Sequence, residues 1–330
     1  MESKNIFFRA AVALSFVFHT AFFCSPSFAD NRQWPNRPIH IIVPLPAGSA
    51  ADTVARLIGS KLSTKLGQPV IINNQAGASG ELGTTQIARS DPDGNTLGIA
   101  TTTTLVTAPI LNPDIGYNAL NDFVPVAMVG YSPYVLVVNP AVAAKTIKDY
   151  IALAKSEAGS LTYSSVGEAS LAHLAGELFA SMAGVKLNEI PYKSSTQAVI
   201  DLLAGRIDSQ FGILTTTHQY IKDGKLNALG VTTLSRVPEF PDIPTISESG
   251  LPGYEAALWI AIIAPAKTPP EIVARLNTEI NDALSRQDTR TLLFDQAIIA
   301  DPRSPSVLHD RIEADLRKWK DLAKKGGLLR

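Results

Sequence analysis

Residues 39–57 read IHIIVPLPAGSAADTVARL, and this stretch decides the fold class. Ile39, Ile41, Ile42 and Val43 are β-favouring and nearly continuous, the pattern of a strand buried on both faces. A loop of small residues follows over 44–51, and Asp52 stands where a helix N-cap is expected. A strand that runs through a side-chain-poor turn into a helix presents unpaired backbone N–H groups at the helix start. Those groups and the helix dipole favour an anion without a cationic side chain. The stretch reads as a seat for a carboxylate or phosphate.

The residues before it read as an export signal. Lys4 and Arg9 open it, residues 10–23 are apolar apart from Ser15, His19 and Thr20, and Ser27-Phe28-Ala29 offers small residues at the two positions a signal peptidase reads. Cleavage after Ala29 is expected, with residues 1–29 removed and the mature chain exported. The apolar run falls short of the ~18 residues of a membrane span. Cys24, the only cysteine, lies inside this segment, and bulky Phe22 and Phe23 before it disfavour a lipid anchor. The mature chain then has no disulfide and no Cys-ligated metal. What remains is long enough for two α/β domains. Acidic and basic residues nearly balance, with a net charge of −1 and no dense basic run before Lys324-Lys325, so nucleic acid is not an expected partner.

Strands and helices alternate along the chain. The pattern predicts strands at 70–72, 97–100, 124–129 and 134–138, with a helix near 82–89. A second series follows: helix 146–155, strand 161–163, helix 170–183, strand 187–190, helix 196–204, strand 207–211, helix 216–223 and strand 228–231. Such alternation predicts parallel sheets with helices on both faces. A proline-rich stretch over 237–244 interrupts it, after which come an apolar strand at 257–264, a helix opened by Pro269-Pro270, and an amphipathic helix over 305–324.

The opening pattern recurs. Tyr163 leads into Ser164, Ser165, Val166, Gly167, Glu168, Ala169 and Ser170, then a helix carrying His173. Residues 73–80, NNQAGASG, form a third small loop that includes Ala78 and Ser79. Thr101 and Thr102 open a fourth, rich in hydroxyls. Singly, each is compatible with an ordinary tight connection. Two such loops in separate lobes, facing one another, would clamp both ends of a small dianion.

These stretches resemble the Bug-type periplasmic solute receptors of tripartite tricarboxylate transporters. Family members run VPFPPGGGTD against VPLPAGSAAD at 43–52, ENRPGAGG against 73–80, and APDGYTL against SDPDGNTL at 90–97. They run YASAGNGSPPHLAGELF against 163–179, VPYKG against IPYKS at 190–194, LPDVPTVAEAGLPGYE against 240–255 and LLAPAGTPPEIVARLN against 262–277. The resemblance implies an α/β fold of the type II periplasmic binding protein: two α/β lobes, a hinge and an interlobe ligand cleft. It implies a first lobe from residues 30–130 and 254–330, a second from 131–253, and crossings near 130–134 and 252–257. It also implies a monomer without cofactor that binds a small organic acid and delivers it to membrane permease subunits. A receptor that signals through a membrane sensor protein would use the same closed state, so both readings stand at this point. By resemblance the ligand-binding residues are Pro46, Ala47, Gly48, Ser49, Ala50, Ala78, Ser79, Thr101, Thr102, Ser164, Ser165, Gly167, Glu168, Ala169, Ser170, His173, Tyr192, Lys193 and Gly212.

The chain departs from the family pattern where ligand identity is decided. Ala47, Ser49, Ala50 and Ala51 thin out the first loop, and Asn73, Gln75, Ala76 and Ser79 change the third. Glu168 stands where Asn is usual, and its charge would repel a dianion. Gly212 replaces the Asp of the family's MFDN run, here Gln210-Phe211-Gly212-Ile213. His173 reads as a cleft group or as a helix-face histidine bonded to a loop carbonyl. Lys193 offsets an anion's charge or is solvated, Trp259 lines the cleft or the core, and Asp52 caps its helix. Catalysis is not expected: no GxSxG surrounds Ser164 or Ser165, and the histidines form no HxxxH pair for zinc.

Overall fold

The structure is a computed structural model that describes residues 34–156, 159–167 and 170–325. The expected signal segment, Glu168 and Ala169 lie outside the described residues. All strands and helices named below belong to the unit Arg37–Arg330.

The first part runs β1 (Ile39–Val43), α1 (Ala50–Leu66), β2 (Val70–Asn74), α2 (Glu81–Ala88), β3 (Thr96–Thr101) and the short α3 (Ala108–Leu111). Helix α1 starts at Ser49, whose hydroxyl accepts the Asp52 N–H, and ends on Gly67 with φ 68°, a left-handed terminus that suits glycine. Asp52 is therefore not the N-cap that the sequence suggested. It sits three residues further on, in the first turn. The spacing of Val54, Ala55, Ile58, Leu62 and Leu66 gives α1 one buried face.

β4 (Phe123–Val138) follows as a single strand of 16 residues. The sequence predicted two strands separated near Pro133. Gly130, Tyr131, Ser132 and Pro133 instead pair with Ile260, Trp259, Leu258 and Ala257 of β9 (Ala257–Pro265), so the ladder passes straight through the proline. The second part comprises α4 (Ile147–Ser156), β5 (Thr162–Ser165), α5 (Leu171–Ala183), β6 (Asn188–Pro191), α6 (Ser195–Leu203), β7 (Ser209–Ile213), α7 (Leu214–Lys222) and β8 (Asn227–Val231). After β9 come α8 (Pro270–Ser285), α9 (Gln287–Phe294), β10 (Ile299–Arg303) and α10 (Pro305–Lys325).

The strands form one ten-stranded sheet in the order β2-β1-β3-β9-β4-β7-β5-β6, with β8 and β10 also paired to β4. It is mixed rather than parallel. β1, β2 and β3 are parallel, as are β5, β6 and β7, but β4, β8, β9 and β10 pair antiparallel. β4 pairs with β9 up to Pro133 and with β7 from Tyr134 onward, so it belongs to two half-sheets in turn. Alternation along it serves two cores: Leu136 and Val138 pack with Phe179, Phe211 and Tyr254, while Val135 and Val137 pack with Leu202, Leu214 and Val231. Trp259 is fully buried and donates its indole N–H to Asp315 at 2.9 Å, which settles it as core. α9 and β10 went unread in the sequence. Residues 287–294 carry little apolar periodicity, and Pro302 falls in a register shift between Ala300 and Arg303 that lets a strand tolerate it.

Candidate functional site

Strand direction alone places the candidate loops opposite one another. β3 is antiparallel to β9 and β9 to β4, so β3 and β4 run the same way, and Thr101 at the end of β3 is level with Ile260 and Gly130. β7 runs against β4 and ends at Ile213, level with Tyr134. The C-terminal ends of the two parallel sets therefore point toward each other across residues 130–134 of β4. At the rise of a strand, this separation is about 13 Å. Ligands of α/β sheets bind at the carboxyl ends of their strands.

On the first half-sheet the loops meet. A Cβ on Gly80 would lie 2.7 Å from the Thr104 methyl and 3.2 Å from the Pro44 carbonyl oxygen, an approach only glycine permits. Gly83 is pressed as closely on Pro44 and Gln75. Loops 44–49, 77–80 and 101–104 thus share one wall. Ala78 and Ser79 hold left-handed φ values of 46° and 54°, strain of the kind that persists where surrounding structure fixes a turn. Pro46, Ala47, Gly48 and Ala50 are exposed, as are Ala78 and Ser79.

The donors of the first loop are partly used. Asp52 is 4% exposed. It accepts the Gly48 N–H at 2.9 Å, the Asn74 amide at 3.0 Å and the Arg56 guanidinium at 3.1 Å. Burial opposes its ionisation, but these bonds outweigh that and hold the carboxyl below the usual carboxylate range. The N–H groups of Ala47, Ala50 and Ala51 have no hydrogen-bond partner among the described residues. Thr101 and Thr104 tie their hydroxyls and N–H groups to each other at 3.0–3.4 Å. Thr102 accepts the Trp259 N–H at 2.9 Å, so it binds β9 to the end of β3.

On the second half-sheet Ser165 accepts the Gly167 N–H at 3.0 Å, and its carbonyl takes the Tyr192 N–H at 2.9 Å. Ser170 is the N-cap of α5, accepting the His173 N–H. The imidazole of His173 is buried, with Nδ1 2.8 Å from Oε1 of Glu189 but without hydrogen-bond geometry. Tyr192 donates its hydroxyl to Asp201 at 2.9 Å, and burial together with that carboxylate raises its pKa. Lys193 is exposed. Gly212 is buried, and a Cβ there would lie 2.8 Å from the Thr217 methyl and 3.4 Å from Oε1 of Gln210.

Several buried polar atoms gather around these strands. Ser164 Oγ, Gln210 Oε1, Thr215 Oγ1 and Nε2 of His173 have no hydrogen-bond partner among the described residues. Such atoms cost about 1–3 kcal/mol each when left unbonded, so they favour a polar occupant. Gln210 and Thr215 were not singled out from the sequence. Thr215-Thr216-Thr217 follows a strand as Thr101-Thr102-Thr103-Thr104 does, and the same hydroxyl signal would have found it. No hydrogen bond among the described residues joins the two sets of loops. Tyr134, at the passage between them, is pushed up to about 12 by burial and stays a neutral phenol.

This architecture, two α/β halves joined by strands that pass between them, defines a type II periplasmic solute-binding fold. A TctC solute-binding protein from Polaromonas, solved without ligand, is similar at a TM-score of 0.83 and 27% identity, covering 88% of this chain and 99% of that one. An R. palustris protein solved with adipate is 33% identical at a TM-score of 0.67, covering 89% of this chain and 98% of that one. Protein BugT of Bordetella pertussis is 35% identical over 320 residues, 97% of this chain and 98% of its own. Residues 54–328 match the model of the tripartite tricarboxylate transporter family receptor, and the chain belongs to that family. The family is one of binding receptors and not of enzymes.

Proposed function

We propose that this protein is a periplasmic receptor that captures a small organic carboxylate between its two half-sheets and delivers it to the permease subunits of a tripartite tricarboxylate transporter. The observation that carries the reading is the opposition of strand ends across residues 130–134 of β4. One lobe comprises residues 30–130 and 254–330, the other 131–253. The first grips the ligand through Ala47, Ala50, Ala51 and the Ala78–Ser79 turn, the second through Ser165, Gly167, Ser170 and His173. Backbone N–H groups and hydroxyls bind a carboxylate without an Arg clamp, at low cost in side-chain entropy. The adipate bound to the R. palustris relative supports a dicarboxylate of this length. The residues before Asp30 act as a cleaved signal, and the receptor works as a monomer in the periplasm.

Two experiments separate the parts of this reading. Calorimetric titration with adipate tests the ligand class. Affinity capture from detergent-solubilised membranes tests the partner: recovery of permease subunits supports delivery, and recovery of a sensor protein alone overturns it.

A further inference from the structure

A cavity of about 250 Å³ lies beside the passage of β4, and it shares no residue with the loops described above. Met128 and Tyr131 of β4 and Ala257 of β9 form its floor. One wall is the turn Thr233-Leu234-Ser235, which leaves β8 on the second half-sheet. The opposite wall is β10 and the first turns of α10, through Asp301, Arg303, Val307, Leu308 and Arg311. Its charges are already paired: Arg303 with Asp301 at 2.8 Å, and Arg311 with Glu255 at 2.6 Å. Leu234 is 53% exposed and Val307 47%, so two large apolar side chains from opposite walls stand partly in water.

The walls belong to different half-sheets, and both are anchored at the point where the chain crosses between them. Thr232 donates its N–H to the Tyr134 carbonyl and accepts the Ala256 N–H on one side, and Arg311 ties α10 to Glu255 on the other. On the two-lobe reading, the cavity is therefore lined from both halves, and rotation of one against the other changes the distance across it. Packed interiors resist compression, so its filling bears on which rotation is favoured.

We propose that this cavity sets the balance between open and closed arrangements of the lobes, with Leu234 and Val307 as its opposing apolar walls. The proposal rests on the two-lobe capture reading. It makes both side chains determinants of affinity although neither touches the ligand, because a change in the open–closed balance alters apparent affinity directly.

The test uses the mature chain and the variants Val307→Trp, Leu234→Trp and Leu234→Trp/Val307→Ala. Small-angle scattering of the ligand-free protein reads the lobe arrangement, and calorimetry with adipate reads affinity. Each single tryptophan should change the ligand-free scattering profile and shift the adipate Kd by about fivefold. The double variant, which restores volume across the cavity, should bring both back toward wild type. A folded single variant whose scattering profile superimposes on wild type overturns the proposal. If Val307→Trp does not fold, Leu234→Trp on the exposed opposite wall decides by the same criterion. Should adipate fail to bind the wild type, the ligand reading is what fails, and scattering still decides the cavity.

Discussion

Asp52 accepts the backbone N–H of Gly48 at 2.9 Å, so the first loop closes on its own carboxylate before any ligand arrives. The carboxyl titrates below its ordinary range, against its burial, because Arg56, Gly48 and Asn74 all donate to it. Arg56 makes the largest of these contributions, and the bonds from Gly48 and Asn74 add to it. Asp52→Ala should cost about 1–3 kcal/mol at neutral pH, read as a lower midpoint of chemical unfolding. A depressed carboxyl stabilises the fold above its unfolded value and loses that contribution as the pH falls through its folded one. The difference between wild type and Asp52→Ala should therefore shrink below the usual carboxylate range. A difference that is constant with pH would show the carboxyl to titrate alike in the folded and unfolded chain, and so contradict the depression.

Asp315 is the acid of a buried cluster. It is 2% exposed, accepts from Trp259 and Arg311 at 2.9 Å, and pairs with Lys318 at 2.8 Å. Burial opposes its ionisation, but the charges of Lys318 and Arg311 overcome it and lower the pKa. Asp315→Ala would leave Arg311 and Lys318 with one acid fewer, and should cost about 3–5 kcal/mol in tryptophan-monitored denaturation. Its contribution is likewise lost as the pH drops below the carboxylate range.

Gly212 separates space from charge. Gly212→Ala brings a Cβ to 2.8 Å from the Thr217 methyl and should lower stability by about 1–3 kcal/mol while leaving carboxylate affinity near wild type. Gly212→Asp puts the family's usual charge at the same place and should change adipate affinity by more than about tenfold. Equal affinities for the two variants would move Gly212 out of the cleft.

Ser49 and Ser165 hold their loops in different ways. Ser49 is an N-cap, so Ser49→Ala should cost about 1 kcal/mol of stability along with affinity. Ser165 fixes only the Gly167 N–H, so Ser165→Ala should reduce affinity with little change in thermal midpoint. Calorimetry and thermal unfolding on both variants distinguish them, and unchanged affinity in both removes the two-loop clamp.

Much of the fold was legible because the pattern was local. The run Ile39 to Val43 and the small loop after it read directly as strand and turn, and the helix stripes followed from spacing. The exceptions depend on partners distant in sequence. β4 is continuous through Pro133 because β9, more than a hundred residues later, completes its ladder. Local pattern puts Asp52 at a cap position, but Ser49 takes that role and the Asn74 amide donates to the Asp52 carboxylate instead. At the site, loop positions were readable and donor availability was not. Whether Thr102 or Tyr192 is free depends on Trp259 and Asp201, which no local pattern names.

The central claim is capture of a small carboxylate between two loops, and mass spectrometry of the molecules released on denaturing the periplasm-purified protein tests it most directly. An organic acid recovered in near-equimolar amount, and raising the unfolding temperature when added back, is the expected result. Recovery of a non-acidic cargo at that stoichiometry, with no organic acid altering the unfolding temperature, would contradict the account.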